Sequence, residues 1–241
     1  MTDKLYWRDP YLHAFDADVV RTHGNALVLD KTAFYPTSGG QQNDTGKILL
    51  ESQEFRVIDV KEENGEILHT LDKECVIRPG TMVHCSIDWD RRYRLMRNHT
   101  ALHVIIGVIV SKYDRNGRST GGQIYEDKAR MDFDVEGFNR EMAEKVIADA
   151  NAVVLEDRKV IAKFLSREEA REIPNLSRTM PGDDLLKSLE TIRVIEIEGL
   201  DIQNDGGTHV RSTKEVGTIK LLKFENNGKH NKRIVIALDA L

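Results

Sequence analysis

Asn98-His99-Thr100-Ala101-Leu102-His103 lies inside a longer run, Trp89 to Tyr113, in which Leu95, Leu102, Ile105, Ile106 and Ile109 recur at helical spacing. The run predicts an amphipathic helix, and the character of the chain changes where it begins. His99 and His103 are four residues apart, so they project from one face of that helix. Two imidazoles so placed are a half-site for a metal ion, or they are two partly buried polar side chains. The pair alone does not separate these readings.

On the N-terminal side of the helix the chain reads as β-rich. Residues 26–29, 55–60, 67–70 and 82–87 are short apolar runs divided by turn residues such as Asn64-Gly65 and Pro79-Gly80. Strands so short and closely spaced predict a small barrel over residues 1–88. From 89 to 241, helices alternate with strands joined by short turns, which predicts an α+β domain with an antiparallel sheet and two long helices. Its second long helix is expected over Glu136 to Asp157, and strands over 129–134, 160–165 and 192–197. Ser166-Arg167-Glu168-Glu169 has the form of a capping box, and Asn226-Asn227-Gly228 that of a hairpin turn. Arg115-Asn116-Gly117 and Gly121-Gly122 read as a polar connection.

Composition bounds the function. The chain has 241 residues with 40% hydrophobic and 31% charged, which suits a globular domain or two with real cores. No apolar run approaches the roughly 20 residues that span a bilayer. Cys75 and Cys85 make no disulfide framework, so a reducing cytoplasm is expected. A net charge of -5 argues against a chain that coats nucleic acid indiscriminately. The basic residues are clustered, however: Arg91, Arg92, Arg94 and Arg97 lead into the histidine helix, and Lys229 and Lys232 belong to a basic C-terminal stretch. Such runs are solvated faces or phosphate contacts.

A hundred residues after the helix comes Gln203-Asn204-Asp205-Gly206-Gly207-Thr208-His209. Asp205 and His209 repeat the spacing of four on a different element. With His99 and His103 they make three imidazoles and one carboxylate, a donor set for zinc. A zinc peptidase helix carries a glutamate beside its first histidine, whereas Thr100-Ala101-Leu102 separate the two here, which excludes that class.

Three ordered motifs carry a resemblance. They are His-x-x-x-His on a helix, Gly-Gly-Thr-His at 206–209, and Phe-Tyr-Pro-Thr-Ser-Gly-Gly-Gln-x-x-Asp-Thr-Gly at 34–46. Together they resemble the editing domain of alanyl-tRNA synthetase, and the chain is similar to the freestanding AlaX proteins in their medium-length form. The resemblance implies hydrolysis of tRNA(Ala) mischarged with serine or glycine, a glycine-motif barrel followed by an editing domain, and zinc as cofactor. It makes His99, His103 and His209 metal ligands. Asp205 stands where much of the family has cysteine, and a carboxylate is a harder and usually more weakly held donor than a thiolate. Zinc binds through that oxygen, or Asp205 lies behind the ligands and water fills the fourth place, or the metal is lost.

By the same resemblance, Thr32 and Gln41 join His103 in catalysis and contact the amino acid. A polar contact suits the task, since serine differs from alanine by one hydroxyl. Asn98, Gln203 and Thr208 flank the ligands as further substrate-binding candidates. Arg91, Arg92, Lys229 and Lys232 are candidates for tRNA contact. Zinc either activates a water or holds the substrate while a free water attacks. Two other classes stay open: a tRNA-binding module without catalysis, and a metal-dependent hydrolase of a small ester or amide. The chain is expected to be a monomer or homodimer.

Overall fold

The computed structural model describes residues 2–113, 118–173, 176, 190–228 and 231–240, in two compact units, Met1–Leu95 and Met96–Leu241. The first unit contains β1 (Asp3–Lys4), β2 (Ala14–His23), β3 (Ala26–Leu29), β4 (Lys31–Thr32), β5 (Gly46–Leu50), β6 (Gln53–Glu63), β7 (Glu66–Leu71) and β8 (Met82–Ile87). Six of these close an antiparallel barrel in the order β2-β3-β7-β6-β5-β8. The closure removes free sheet edges. Alternation along the strands fills the interior: Ala17, Val19, Ile48, Phe55, Val57, Val83 and Cys85 point in and are buried, with exposed residues between them. Thus the expected barrel is present, and it includes β2, which the short runs did not mark.

The glycine motif folds back on itself. Gly39 and Gly40 both take positive φ, 56° and 84°, closing a tight turn in which Ser38 and Gln41 exchange backbone hydrogen bonds of 3.2 and 2.9 Å. The turn leaves Gln41 fully buried. Behind it, Arg92 is completely buried and forms an ion pair with Asp44. Its guanidinium also donates to the carbonyls of Pro10 (2.8 Å) and Ala33 (2.6 Å), and the Tyr35 amide donates to Asp44 at 2.6 Å. One cation therefore ties three separate stretches of this unit together.

A second buried polar cluster lies inside the barrel. His69 donates from Nδ1 to the Leu27 carbonyl at 3.1 Å, which leaves Nε2 to accept the Thr32 hydroxyl at 2.8 Å. The Phe34 amide donates to the same hydroxyl oxygen at 3.1 Å. Burial pushes the His69 imidazole down from 6.5 to about 4. The unfolded chain therefore takes up the proton first: stability is whole above pH 6.5 and falls as the pH drops towards 4. The loss is about 1.4 kcal/mol per pH unit and about 3 kcal/mol in all. In urea titrations, wild type should lose this amount relative to His69→Gln between pH 7 and pH 4. A difference between the two proteins that does not change with pH would contradict it.

The helix α1 (Trp89–Val108) runs across the division between the units and ends in a π-turn, Ile109–Tyr113. The second unit continues with β9 (Arg118–Ile124), β10 (Ala129–Asp134), α2 (Arg140–Leu155), β11 (Val160–Ser166), α3 (Arg167–Arg171), β12 (Thr191–Ile197), β13 (Asp201–Asn204), β14 (Ile219–Asn226) and β15 (Lys232–Leu238). Antiparallel sheets form in the orders β14-β15-β10-β9 and β11-β12-β13. Asn139 caps α2 by accepting the Met142 amide, and Ser166 with Glu169 makes the expected capping box on α3. The chain is α+β, as the pattern implied.

Two local expectations change. The helix α1 is not amphipathic from Leu95 onward; nearly every side chain through Ile109 is buried. Its polar residues tolerate this because they are hydrogen-bonded: Arg97 donates to the carbonyls of Glu215, Val216 and Asp239, and Asn98 to those of Tyr125 and Glu126. Gly121-Gly122 belongs to strand β9 rather than to a connection, because pairing with Asp132 and Met131 of β10 overrides the weak strand preference of glycine. The rest of that expected connection, Arg115-Asn116-Gly117, lies outside the described residues.

Candidate metal centre

All parts of this site belong to the second unit. His99 and His103 come from successive turns of α1. Asp205 and His209 come from the loop that follows β13, where Gly206-Gly207 turns the chain back. One potential ligand atom from each of the four residues lies within 4.8 Å of all the others. The Nε2 atoms of His99, His103 and His209 lie 3.4, 3.7 and 3.1 Å from Asp205 carboxylate oxygens. A tetrahedral ion with bonds of about 2.0–2.1 Å separates its ligand atoms by about 3.3 Å. The four side chains therefore fit zinc in donor type and in spacing.

Electrostatics agree with the geometry. Burial pushes the imidazoles of His99 down and of His209 well down, which keeps them neutral with a lone pair to give. Burial alone would raise the Asp205 carboxyl, but the three histidines outweigh it and hold the group well below the usual carboxylate range. The set thus includes a half-buried carboxylate and the neutral imidazoles of His99 and His209, a negative charge suited to a divalent cation.

Neighbours aim these donors. His209 Nδ1 lies 3.1 Å from the Thr100 hydroxyl oxygen, which also accepts the Val210 amide at 3.2 Å. With the Nδ1 proton directed at Thr100, Nε2 faces the cluster as an acceptor. Arg193, on β12, donates to the Asp205 carbonyl at 2.7 Å, and the Gly207 amide donates to the Asp205 carboxylate at 2.5 Å. Sequence reasoning missed Thr100 and Arg193. Thr100 had a signal, its place between the two helix histidines; Arg193 had none, lying twelve residues before Asp205 on another strand.

Gly207 is required for close approach. A Cβ there would lie 2.6 Å from His99 Nδ1 and 2.9 Å from Asp205 Oδ1. Gly207→Ala should push the His99 ring and the carboxylate apart and weaken zinc binding by about 10- to 100-fold, the range seen when ligand orientation is disturbed. Competition with a chromophoric chelator measures this, and wild-type affinity would refute the packing argument.

Other sequence candidates are placed as follows. Asn98 uses its amide nitrogen on loop carbonyls, Gln203 is buried and donates to Asp201, and Thr208 is fully buried. Thr32 and Gln41 belong to the first unit, both fully buried. Among the basic residues, Arg91 donates to the Asn43 carbonyl at 2.9 Å. Two basic candidates for phosphate contact are not on the surface. Arg92 is enclosed with Asp44, and Lys232 is buried, donating to Asn226 at 2.6 Å and to the Gly228 carbonyl across the hairpin turn. Enclosed cations are already neutralised or hydrogen-bonded within the fold. Lys229 lies outside the described residues.

Residues 10–91 match the family described as tRNA synthetases class II (A), and residues 192–235 match the threonyl and alanyl tRNA synthetase second additional domain. Both units thus carry modules of the synthetase type. The chain is 44% identical over 236 residues to an alanyl-tRNA editing protein AlaX-M from Saccharolobus solfataricus, covering 97% of this chain and 98% of that one. It is 41% identical over 245 residues to an AlaX-M protein from Methanosarcina barkeri, covering 99% of each. An alanine–tRNA ligase from Pyrococcus furiosus is 36% identical over 241 residues, and there the match covers 26% of the larger protein. The chain belongs to the alanyl-tRNA editing proteins of the AlaX-M form.

Proposed function

We propose that this protein hydrolyses the ester bond of mischarged tRNA(Ala), chiefly seryl-tRNA(Ala) and also glycyl-tRNA(Ala), in a zinc-dependent reaction in the cytoplasm. The observation that carries the reading is the convergence of His99, His103, Asp205 and His209 in a chain whose relatives are named as alanyl-tRNA editing proteins. Zinc held by these residues would supply Lewis acidity, and where Asp205 leaves one position open to a water it would lower the pKa of that water to about 7. No carboxylate stands between the two helix histidines to act as a separate base, which suits that chemistry.

The protein's own residues hold the geometry. Thr100 selects the tautomer of His209, while Arg193 and the Gly207 amide orient Asp205. His99, kept neutral by burial, completes the donor set from the turn before His103. Thr32 and Gln41 are assigned to recognition of the aminoacyl group by resemblance to the glycine motif. In this assignment a hydrogen bond to the serine hydroxyl is lost when alanine enters, and the groups left unpaired disfavour the correct product.

A deacylation panel tests the reading, with seryl-, glycyl- and alanyl-tRNA(Ala), each with and without chelator. Seryl-tRNA should be cleaved fastest, alanyl-tRNA spared, and chelator should stop the reaction until zinc is restored. Binding of tRNA without cleavage of any of the three would favour a non-catalytic module. Equal cleavage of free serine esters would favour a small-ester hydrolase.

A further inference from the structure

The anionic donor of the cluster is oxygen, and both of its oxygens face imidazoles. Asp205 Oδ2 lies 3.4 and 3.7 Å from Nε2 of His99 and His103, and Oδ1 lies 3.1 Å from Nε2 of His209. The group is fixed rather than a loose surface carboxylate: the Gly207 amide donates to Oδ1 at 2.5 Å, and Arg193 donates to the Asp205 carbonyl at 2.7 Å. A thiolate in its place would offer one soft donor atom, which favours zinc. A carboxylate offers one hard oxygen or two, so the number of donors can change while the backbone stays where it is. Manganese(II) favours such oxygen donors and a shell of more than four ligands.

Exposure points the same way. The Asp205 side chain is 17% exposed, against 5%, 9% and 3% for those of His99, His103 and His209, so water reaches the cluster at the carboxylate. The two glycines of the loop differ accordingly. A Cβ on Gly207 would run into the His99 ring, whereas a Cβ on Gly206 would meet nothing within 4 Å. The histidines thus close one side of the cluster, and the side next to Asp205 has room for the waters that a larger coordination shell needs.

We propose that Asp205 makes this centre permissive among divalent ions, so that it takes manganese(II) as well as zinc. The proposal rests on the reading of the cluster as a metal centre, and its test reads binding rather than hydrolysis. Free manganese(II) gives a sharp electron paramagnetic resonance signal that fades when the ion binds protein. Chelator-treated wild type should bind manganese(II) stoichiometrically, and zinc should displace it, which separates this centre from exposed acidic side chains. In Asp205→Cys, the preference for zinc over manganese(II) in the same competition should rise by about 10- to 100-fold. Asp205→Asn keeps the shape and removes the charge, so it should weaken manganese(II) binding more than zinc binding; it decides the matter where the cysteine variant does not fold. Manganese(II) that stays free beside wild type that binds zinc overturns the proposal and leaves the zinc reading standing. So does a zinc preference unchanged in both variants. Wild type that binds neither ion overturns the proposal and the metal reading together.

Discussion

His103→Ala should abolish deacylation of seryl-tRNA(Ala), lowering kcat/KM by about 10³-fold or more, while the folded state survives. His103 supplies one of four donors whose spacing fits zinc, and its Nε2 lies 3.7 Å from an Asp205 oxygen. Its removal leaves three donors and takes away the charge stabilisation that a preorganised site offers at the reacting ester. Losing even one hydrogen-bond donor from such a site costs about 10²–10³ in rate, and loss of the metal removes more. Single-turnover deacylation together with bound-zinc analysis checks the prediction. Full activity in this variant would remove the cluster from the mechanism. Retained zinc with no activity would instead assign His103 a role towards substrate.

Arg92→Ala should destabilise the first unit by about 3–5 kcal/mol, the cost of breaking a buried ion pair by removing one partner. The variant would leave the Asp44 carboxylate buried without its cation, and would strip donors from the carbonyls of Pro10 and Ala33. Both tryptophans of the chain, Trp7 and Trp89, lie in this unit, so intrinsic fluorescence in urea reports its unfolding directly. A change under 1 kcal/mol would mean that the pair contributes little and that backbone packing alone holds the glycine motif. Arg92→Ala should also disturb that motif in the folded state, because Asp44 receives the Tyr35 amide and anchors its C-terminal end.

How much of this was legible beforehand depends on the range of the interaction. Hydrophobic periodicity marked α1, and a serine followed three residues later by glutamate marked the cap of α3, since both patterns are written in neighbouring residues. The spacing of four put His99 and His103 on one helix face, and the same spacing on a glycine turn supplied the other two donors. Gly121-Gly122 was misread because glycine is a poor strand former, and only its partners on β10 hold it in the sheet. The charged residues were the hardest to read. Arg91, Arg92, Arg94 and Arg97 form one basic cluster in the sequence, yet Arg92 and Arg97 are enclosed while Arg94 is exposed.

By itself, the sequence determined the donor types, the helix that carries two of them, the strand-rich first half and the absence of a peptidase glutamate. Tertiary structure alone decided which residues outside that donor set act together. Arg92 became structural because Asp44, 48 residues away, meets it in the interior. Thr100 became the partner of His209, 109 residues distant. Gly207 proved necessary because a neighbouring histidine ring occupies the space of a side chain. Periodicity and capping are local, so they survive in one dimension; burial, desolvation and close approach arise between residues far apart in the chain and exist only once it has folded.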